Sequence, residues 1–164
     1  RPLFSWILNY LDIPMSDFAV WPTAQMPMRL AGQPLGVSIC YENEFGYLIR
    51  KSLPESTLLI NLSEEGWFGN SLAPHQRLQM ARMRAMESGR ALIRASNNGL
   101  SALISAKGNL LTVAPQFQPD TVRGSVVPMS GVTPFVRLGN LPILLLSVLV
   151  IAGSFLKRFR YRTV

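Results

Sequence analysis

The chain has 164 residues, 48% of them hydrophobic, with a single cysteine and a formal net charge of +7. That length allows one domain with a real core, and one cysteine excludes an internal disulfide and cannot by itself make a metal site. The charge is informative only once it is located. No acidic residue follows Asp120, whereas Arg123, Arg137, Lys157, Arg158, Arg160 and Arg162 do; without those six the body carries ten Lys and Arg against nine Asp and Glu. A nearly neutral body argues against nucleic acid as a partner. The opening residues, Arg1-Pro2-Leu3-Phe4, are neither a charged leader nor a cleavage site, and the chain reads as a piece of something longer.

Residues 4–11 carry Phe4, Ile7, Leu8 and Leu11 on one side and read as a short helix. Four prolines then make residues 14–34 mostly loop or edge strand. The apolar run Leu35-Gly36-Val37-Ser38-Ile39-Cys40 reads as a buried strand with a polar exit, and residues 45–51 continue at helical spacing. After a turn at Pro54-Glu55-Ser56, residues 57–62 are a second buried strand. Residues 63–71 form a polar and aromatic loop containing Trp67-Phe68-Gly69. Residues 74–90 predict the best helix, with Pro74 in its first turn and Gly89 near its end. Strands follow at 91–96, 101–105, 110–113 and 121–127, the first two joined by a turn at Asn97-Asn98-Gly99. The order is that of a mixed α/β layer structure, without internal repeats.

Residues 138–156 hold no charge and would span about 28 Å as a helix at ~1.5 Å per residue, close to the ~30 Å hydrocarbon core. Arg137 stands before this segment and Lys157-Arg158-Phe159-Arg160-Tyr161-Arg162 directly after it. A buried core helix rarely ends in such a basic cluster, so a membrane span is expected, with its C-terminus in the cytoplasm and the preceding domain on the opposite face.

Cys40 stands where strand gives way to helix, a place that exposes a side chain while packed elements hold its backbone. From position alone the favoured reading is a buried core cysteine. A thiol becomes a nucleophile as thiolate, which needs a base or a cation beside it. Strand alternation puts Glu42 on the same side as Cys40; the other reading is a carboxylate serving a helix N-terminus. Tyr41 packs or donates one hydrogen bond. Trp67 and Phe68 either shape a pocket or lid near the membrane or pack under their loop. His75, at a helix start, reads as solvated rather than as a partner of Cys40. Arg82, Arg84, Arg90 and Arg94 are expected in partly buried salt bridges, or less readily on lipid phosphates.

Several segments together resemble the nitrilase superfamily and, within it, the carboxy-terminal part of the apolipoprotein N-acyltransferase family. They are Val37-Ser38-Ile39-Cys40-Tyr41-Glu42, Asn61-Leu62-Ser63 leading into Gly66-Trp67-Phe68-Gly69, and the run 79–90. Arg94-Ala95-Ser96-Asn97-Asn98-Gly99 and Gly131-Val132-Thr133-Pro134-Phe135 complete the set. The resemblance implies the C-terminal half of an αββα sandwich (1–136), one transmembrane helix (137–157) and a basic cytoplasmic tail (158–164). It implies a bacterial inner-membrane enzyme, its domain outside the cytoplasm, moving a fatty acyl chain from a phospholipid to the N-terminal amine of a lipoprotein. Cys40 would be the nucleophile and Glu42 a supporting carboxylate, with Tyr41, Trp67 and Phe68 at the substrate; no cofactor or metal is expected. The family's catalytic Glu and Lys would lie before Arg1, in the missing N-terminal part, so the chain alone is expected to be inactive. Glu64-Glu65 departs from the Asn-Asp usual before the aromatic pair, and Glu44 matches no family role. A membrane-anchored nitrilase-type amidase is the alternative.

Overall fold

The computed structural model of the protein describes residues 26–160, with backbone alone described from residue 155. The expected helix at 4–11 and most of the proline-rich stretch after it lie outside the described residues.

Six strands form one sheet in sequential order. They are β1 (Met28–Leu30), β2 (Gln33–Ile39), β3 (Leu58–Glu64), β4 (Leu92–Asn97), β5 (Ala102–Ile104) and β6 (Leu110–Val113). β1 and β2 make an antiparallel hairpin across Ala31-Gly32, both at positive φ, and Pro34 is accommodated because it sits on that edge pairing. β2, β3 and β4 run parallel, and β5 and β6 return antiparallel. Between them lie α1 (Gly46–Arg50), α2 (Ala73–Ser88), α3 (Pro134–Leu138) and α4 (Leu141–Arg160). The expected α/β order therefore holds, with α2 ending at Gly89 in the left-handed conformation.

The expected strand at 121–127 does not form. That segment crosses the sheet instead of extending it: Met129 N–H donates to Thr57 O at 3.0 Å, and Val126 packs on Leu35, Leu58 and Ala91. These two contacts, at the starts of the central strands β2, β3 and β4, hold it away from the ladder.

Alternation in β3 and β4 sorts the two faces. Leu59 and Leu92 point to one side and pack with Ile49 of α1, Leu78, Ala81 and Ala85 of α2, and Val136 of α3. The same side turns polar toward the strand ends, through Ser38, Asn61 and Arg94, all buried. The other side stays apolar and, at its upper end, uncovered: Ile39 is 55% exposed and Leu62 45%. The expected sandwich is thus represented by one sheet with helices on one face.

α4 is apolar around its circumference, and its leucines, isoleucines and valines up to Ile151 are more than half exposed. Among the described residues no helix is long and apolar enough to cross a membrane.

Candidate active site

The carboxyl ends of adjacent parallel strands are where α/β sheets place their sites, and Cys40 is the first residue beyond β2. It opens a 3-10 turn, Cys40–Glu44, with φ 49, a left-handed conformation that costs a non-glycine residue roughly 1–2 kcal/mol. Strain of that kind at a strand end aims a side chain at the expense of comfort. The turn is held from the neighbouring strand: Asn61 Nδ2 donates to Cys40 O at 3.3 Å, to Ser38 O at 3.3 Å and to Ser38 Oγ at 3.1 Å.

Two donors and one acceptor face the thiol, the acceptor being the Glu64 carbonyl. Arg77 Nη2 lies 3.5 Å from Cys40 Sγ, Ser63 Oγ donates from 3.8 Å, and the Glu64 carbonyl lies 4.0 Å away. Burial pushes the Cys40 thiol up, but the hydrogen bonds from Arg77 and Ser63 pull it down and prevail, leaving it below the usual thiol value.

Arg77 is itself wired in. Its Nε lies 2.8 Å from Glu44 Oε1 and 3.4 Å from Glu65 Oε1, and its guanidinium carbon sits 5.5 Å from the centre of the Phe68 ring. Burial draws the Arg77 guanidinium down, but the contact with Cys40 and the charges of Glu44 and Glu65 outweigh it, so it stays protonated. Glu65, fully buried, also pairs with Arg94 and accepts from Ser96 Oγ at 2.9 Å, while Arg94 Nη1 donates to Asn61 Oδ1. Cys40, Arg77, Glu44, Glu65, Arg94 and Asn61 therefore form one continuous polar floor. Such networks specify geometry most sharply when every member has a partner; here the buried Nε atoms of Arg77 and Arg94 make no hydrogen bond, and charge pairing holds their edges instead.

The expected site residues divide. Phe68 reaches this floor through Arg77. Trp67 does not pack; it stands 86% exposed on the Gly66–Phe68 turn. Tyr41 is also mostly exposed and meets Phe45 edge-on, ring centres 5.2 Å apart. Glu42 does not join Cys40. Alternation ends at Ile39, because Cys40 already belongs to the turn, and Glu42 Oε2 curls back to accept the Ile39 N–H at 2.7 Å. Glu42 instead lines a cavity of about 230 Å³ with Val37, Leu48 and Ser52; a second, of about 400 Å³, lies beside Asn98 and Phe117, and Cys40 lines neither.

The arginine expectation holds for two of four. Arg84 pairs with Glu87 at 2.8 Å and Arg94 with Glu65. Arg82 donates instead to Gly108 O at 2.8 Å, and Arg90 to the carbonyls of Ser56 and Gly131 at 2.7 and 2.8 Å. Those two close loops onto α2 because carbonyls, not carboxylates, surround them. His75 is exposed, as expected. Glu64, half of the unusual Glu-Glu pair, accepts from Gly66 N–H at 2.5 Å and from the Asn97 amide.

Sequence reasoning missed Arg77; it named Glu44 beside Glu42 as a candidate to help Cys40 but with no family role, and Asn61 and Ser63 only within a resembling segment. The signal was present: Arg77 stands in register with Leu78, Ala81, Ala85 and Ser88 on the buried stripe of α2. A charged residue on such a stripe requires a buried partner. Among the described residues, no three His, Cys, Asp or Glu side chains converge as metal ligands do.

Comparison with known proteins bears on the family and the fold. Residues 13–130 match the carbon-nitrogen hydrolase family. The chain is 43% identical over 155 residues to the apolipoprotein N-acyltransferase of Nitrosomonas europaea, covering 94% of the chain and 31% of that protein. It is 41% identical over 160 residues to that of Methylococcus capsulatus, covering 98% of the chain and 32% of the relative. The chain thus spans about a third of the length of these curated relatives. The fold resembles the carbon-nitrogen hydrolase of Helicobacter pylori G27, with TM-score 0.53 and 16% identity over 60% of this chain and 42% of that one.

Proposed function

The chain belongs to the carbon-nitrogen hydrolase family, and on that premise we propose that it carries the nucleophile of a membrane N-acyltransferase. One observation carries the reading: a strained turn at the end of a parallel strand presents Cys40 Sγ to the Arg77 guanidinium at 3.5 Å. A thiolate so held is a competent acyl acceptor.

In the first step the thiolate attacks the carbonyl carbon of a phospholipid ester. The ester C–O bond breaks, and the departing lysophospholipid oxygen takes up a proton. In the second step the N-terminal amine of a lipoprotein attacks the thioester carbon. The C–S bond breaks, the amine loses its surplus proton, and the thiolate returns. The names of the curated relatives support this substrate class. The exposed, uniformly apolar α4 supports a lipid setting, because water is a poor surrounding for such a helix. Together with the basic residues that begin at its C-terminal end, the apolar part of α4 supports a bacterial inner-membrane anchor with the C-terminus in the cytoplasm and Cys40 on the extracytoplasmic side.

In the proposed cycle a Glu general base and a Lys, which the family would supply from outside this chain, move protons between the two steps. The uncovered sheet face at Ile39 and Leu62 offers a surface on which the rest of such an enzyme would pack, and without those groups the chain is proposed to be inactive. Trp67 and Phe68, and more weakly Tyr41, line the approach of the acyl chain. Glu42 contributes by fixing the Cys40 turn rather than by touching substrate.

Mass spectrometry of the intact enzyme after incubation with phospholipid tests the proposal. A fatty-acyl adduct on the peptide containing Cys40, discharged by a lipoprotein amine, is the expected result. Turnover of small amides with no such adduct would replace it by an anchored amidase.

A further inference from the structure

Among the described residues, the cation nearest the nucleophile is Arg77. Arg77 is 6% exposed, and its two edges face different partners: Nε the carboxylates of Glu44 and Glu65, Nη2 the sulfur of Cys40. The Phe68 ring covers one side of the guanidinium. We propose that Arg77 is a positioning residue that holds Cys40 as a thiolate before any substrate arrives. The inference rests on Cys40 being the nucleophile and adds what keeps it charged.

Guanidinium is suited to this task for a geometric reason. Its five N–H groups form a rigid planar fork, so the Glu44 and Glu65 carboxylates, which attract the Nε edge by charge without an aligned hydrogen bond, leave Nη2 turned to the sulfur. A lysine in its place offers one nitrogen, which faces either the carboxylates or the sulfur. Burial keeps water from screening the contact. The direction of the Cys40 shift agrees, with Arg77 the largest lowering influence. Ionisation here only releases the Cys40 proton to solvent; it neither oxidises nor reduces anything.

The test is the pH profile of Cys40 alkylation by iodoacetamide in the intact enzyme in detergent, without phospholipid, read on the Cys40 peptide by mass spectrometry. The native midpoint is expected below the ordinary thiol value of about 8.5. Arg77→Gln is expected to raise it by about one pH unit or more, and Arg77→Lys by less. An unmoved midpoint in an Arg77→Gln protein that still melts cooperatively overturns the proposal, because a merely structural arginine would alter melting and not the midpoint. Where Arg77→Gln does not fold, the native profile and Arg77→Lys decide. A native midpoint at or above about 8.5, or no upward shift in Arg77→Lys, overturns it. Failure of the native enzyme to form a thioester counts against acyl transfer and leaves the alkylation profile standing. Normal thioester formation with an unmoved midpoint does the reverse.

Discussion

Asn61 holds the backbone of Cys40 from the adjacent strand, its side-chain amide donating to the Cys40 carbonyl at 3.3 Å while its own oxygen accepts from Arg94. One buried amide thereby links the strained turn to the charged floor. Asn61→Ala leaves the Ser38 and Cys40 carbonyls and an arginine N–H without that partner. It should cost about 2–4 kcal/mol in urea unfolding. Asn61→Asp should be no milder, because a carboxylate cannot donate to two carbonyls; an Asp variant as stable as the native protein would show that the amide's donors do not matter.

Cys40 adopts a conformation that glycine adopts freely. Cys40→Gly is therefore expected to melt at or above the native temperature while losing acyl transfer entirely. Cys40→Ser keeps the strain and should lose activity by roughly a thousandfold or more. Thermal melts beside a phospholipid transfer assay separate the two effects, and residual transfer in the glycine variant would remove Cys40 from the reaction.

Gly99 touches the floor from the turn after β4. A Cβ there would overlap Glu65 Oε2 and Ser96 Oγ and stand 2.8 Å from Glu65 Cδ. Glu65 cannot retreat without breaking its pairs with Arg77 and Arg94. Gly99→Ala is expected to destabilise by about 2–4 kcal/mol and to slow Cys40 alkylation at neutral pH. Native alkylation kinetics in this variant would show that the floor tolerates displacement of Glu65.

Trp67 predicts the opposite combination. Its exposure means that Trp67→Ala should change stability by less than about 0.5 kcal/mol. If the ring meets the acyl chain, the Michaelis constant for phospholipid rises severalfold with little change in melting. An unchanged constant would confine the substrate role to Phe68.

Glu87 gives a pH dependence. Burial raises its carboxyl above the usual range, and the opposing pull of Arg84 does not fully restore it. A raised folded value means the folded state binds the proton more tightly than the unfolded one. Its stabilising contribution is full below the unfolded value of about 4.3 and is lost as pH rises through the folded value. Glu87→Gln should therefore compare most favourably with the native protein near pH 7, and the difference in melting temperature should move against the variant toward pH 4. A constant difference across that range would contradict the shift.

The sequence made the layers legible because period and punctuation are local. The apolar alternation in β2, β3 and β4, Pro74 at a helix start and Gly89 in the left-handed cap each state their element without help from afar. Cys40 was legible because it ends an apolar run. Glu42 was misplaced because alternation was carried one residue too far, past Ile39 into a turn that only the Asn61 hydrogen bonds define. Arg77 stayed hidden because its partners come from the Cys40–Glu44 turn and from Glu65, 37 to 12 residues before it, and no local pattern announces that convergence. The strap after β6 was read as a strand for a similar reason, its hydrogen bond to Thr57 being a matter of where the chain turns.

The charges of the floor can be counted. Among the described residues, Arg77 and Arg94 oppose Glu44 and Glu65, so the floor is neutral while the thiol keeps its proton and carries one net negative charge once Cys40 ionises. Thioester formation erases that charge. In the proposed cycle the two substrates thus meet different electrostatic surfaces. The neutral ester of a phospholipid approaches an anionic centre, whereas the amine approaches one already discharged, with no excess negative charge to hold it in the unreactive ammonium form.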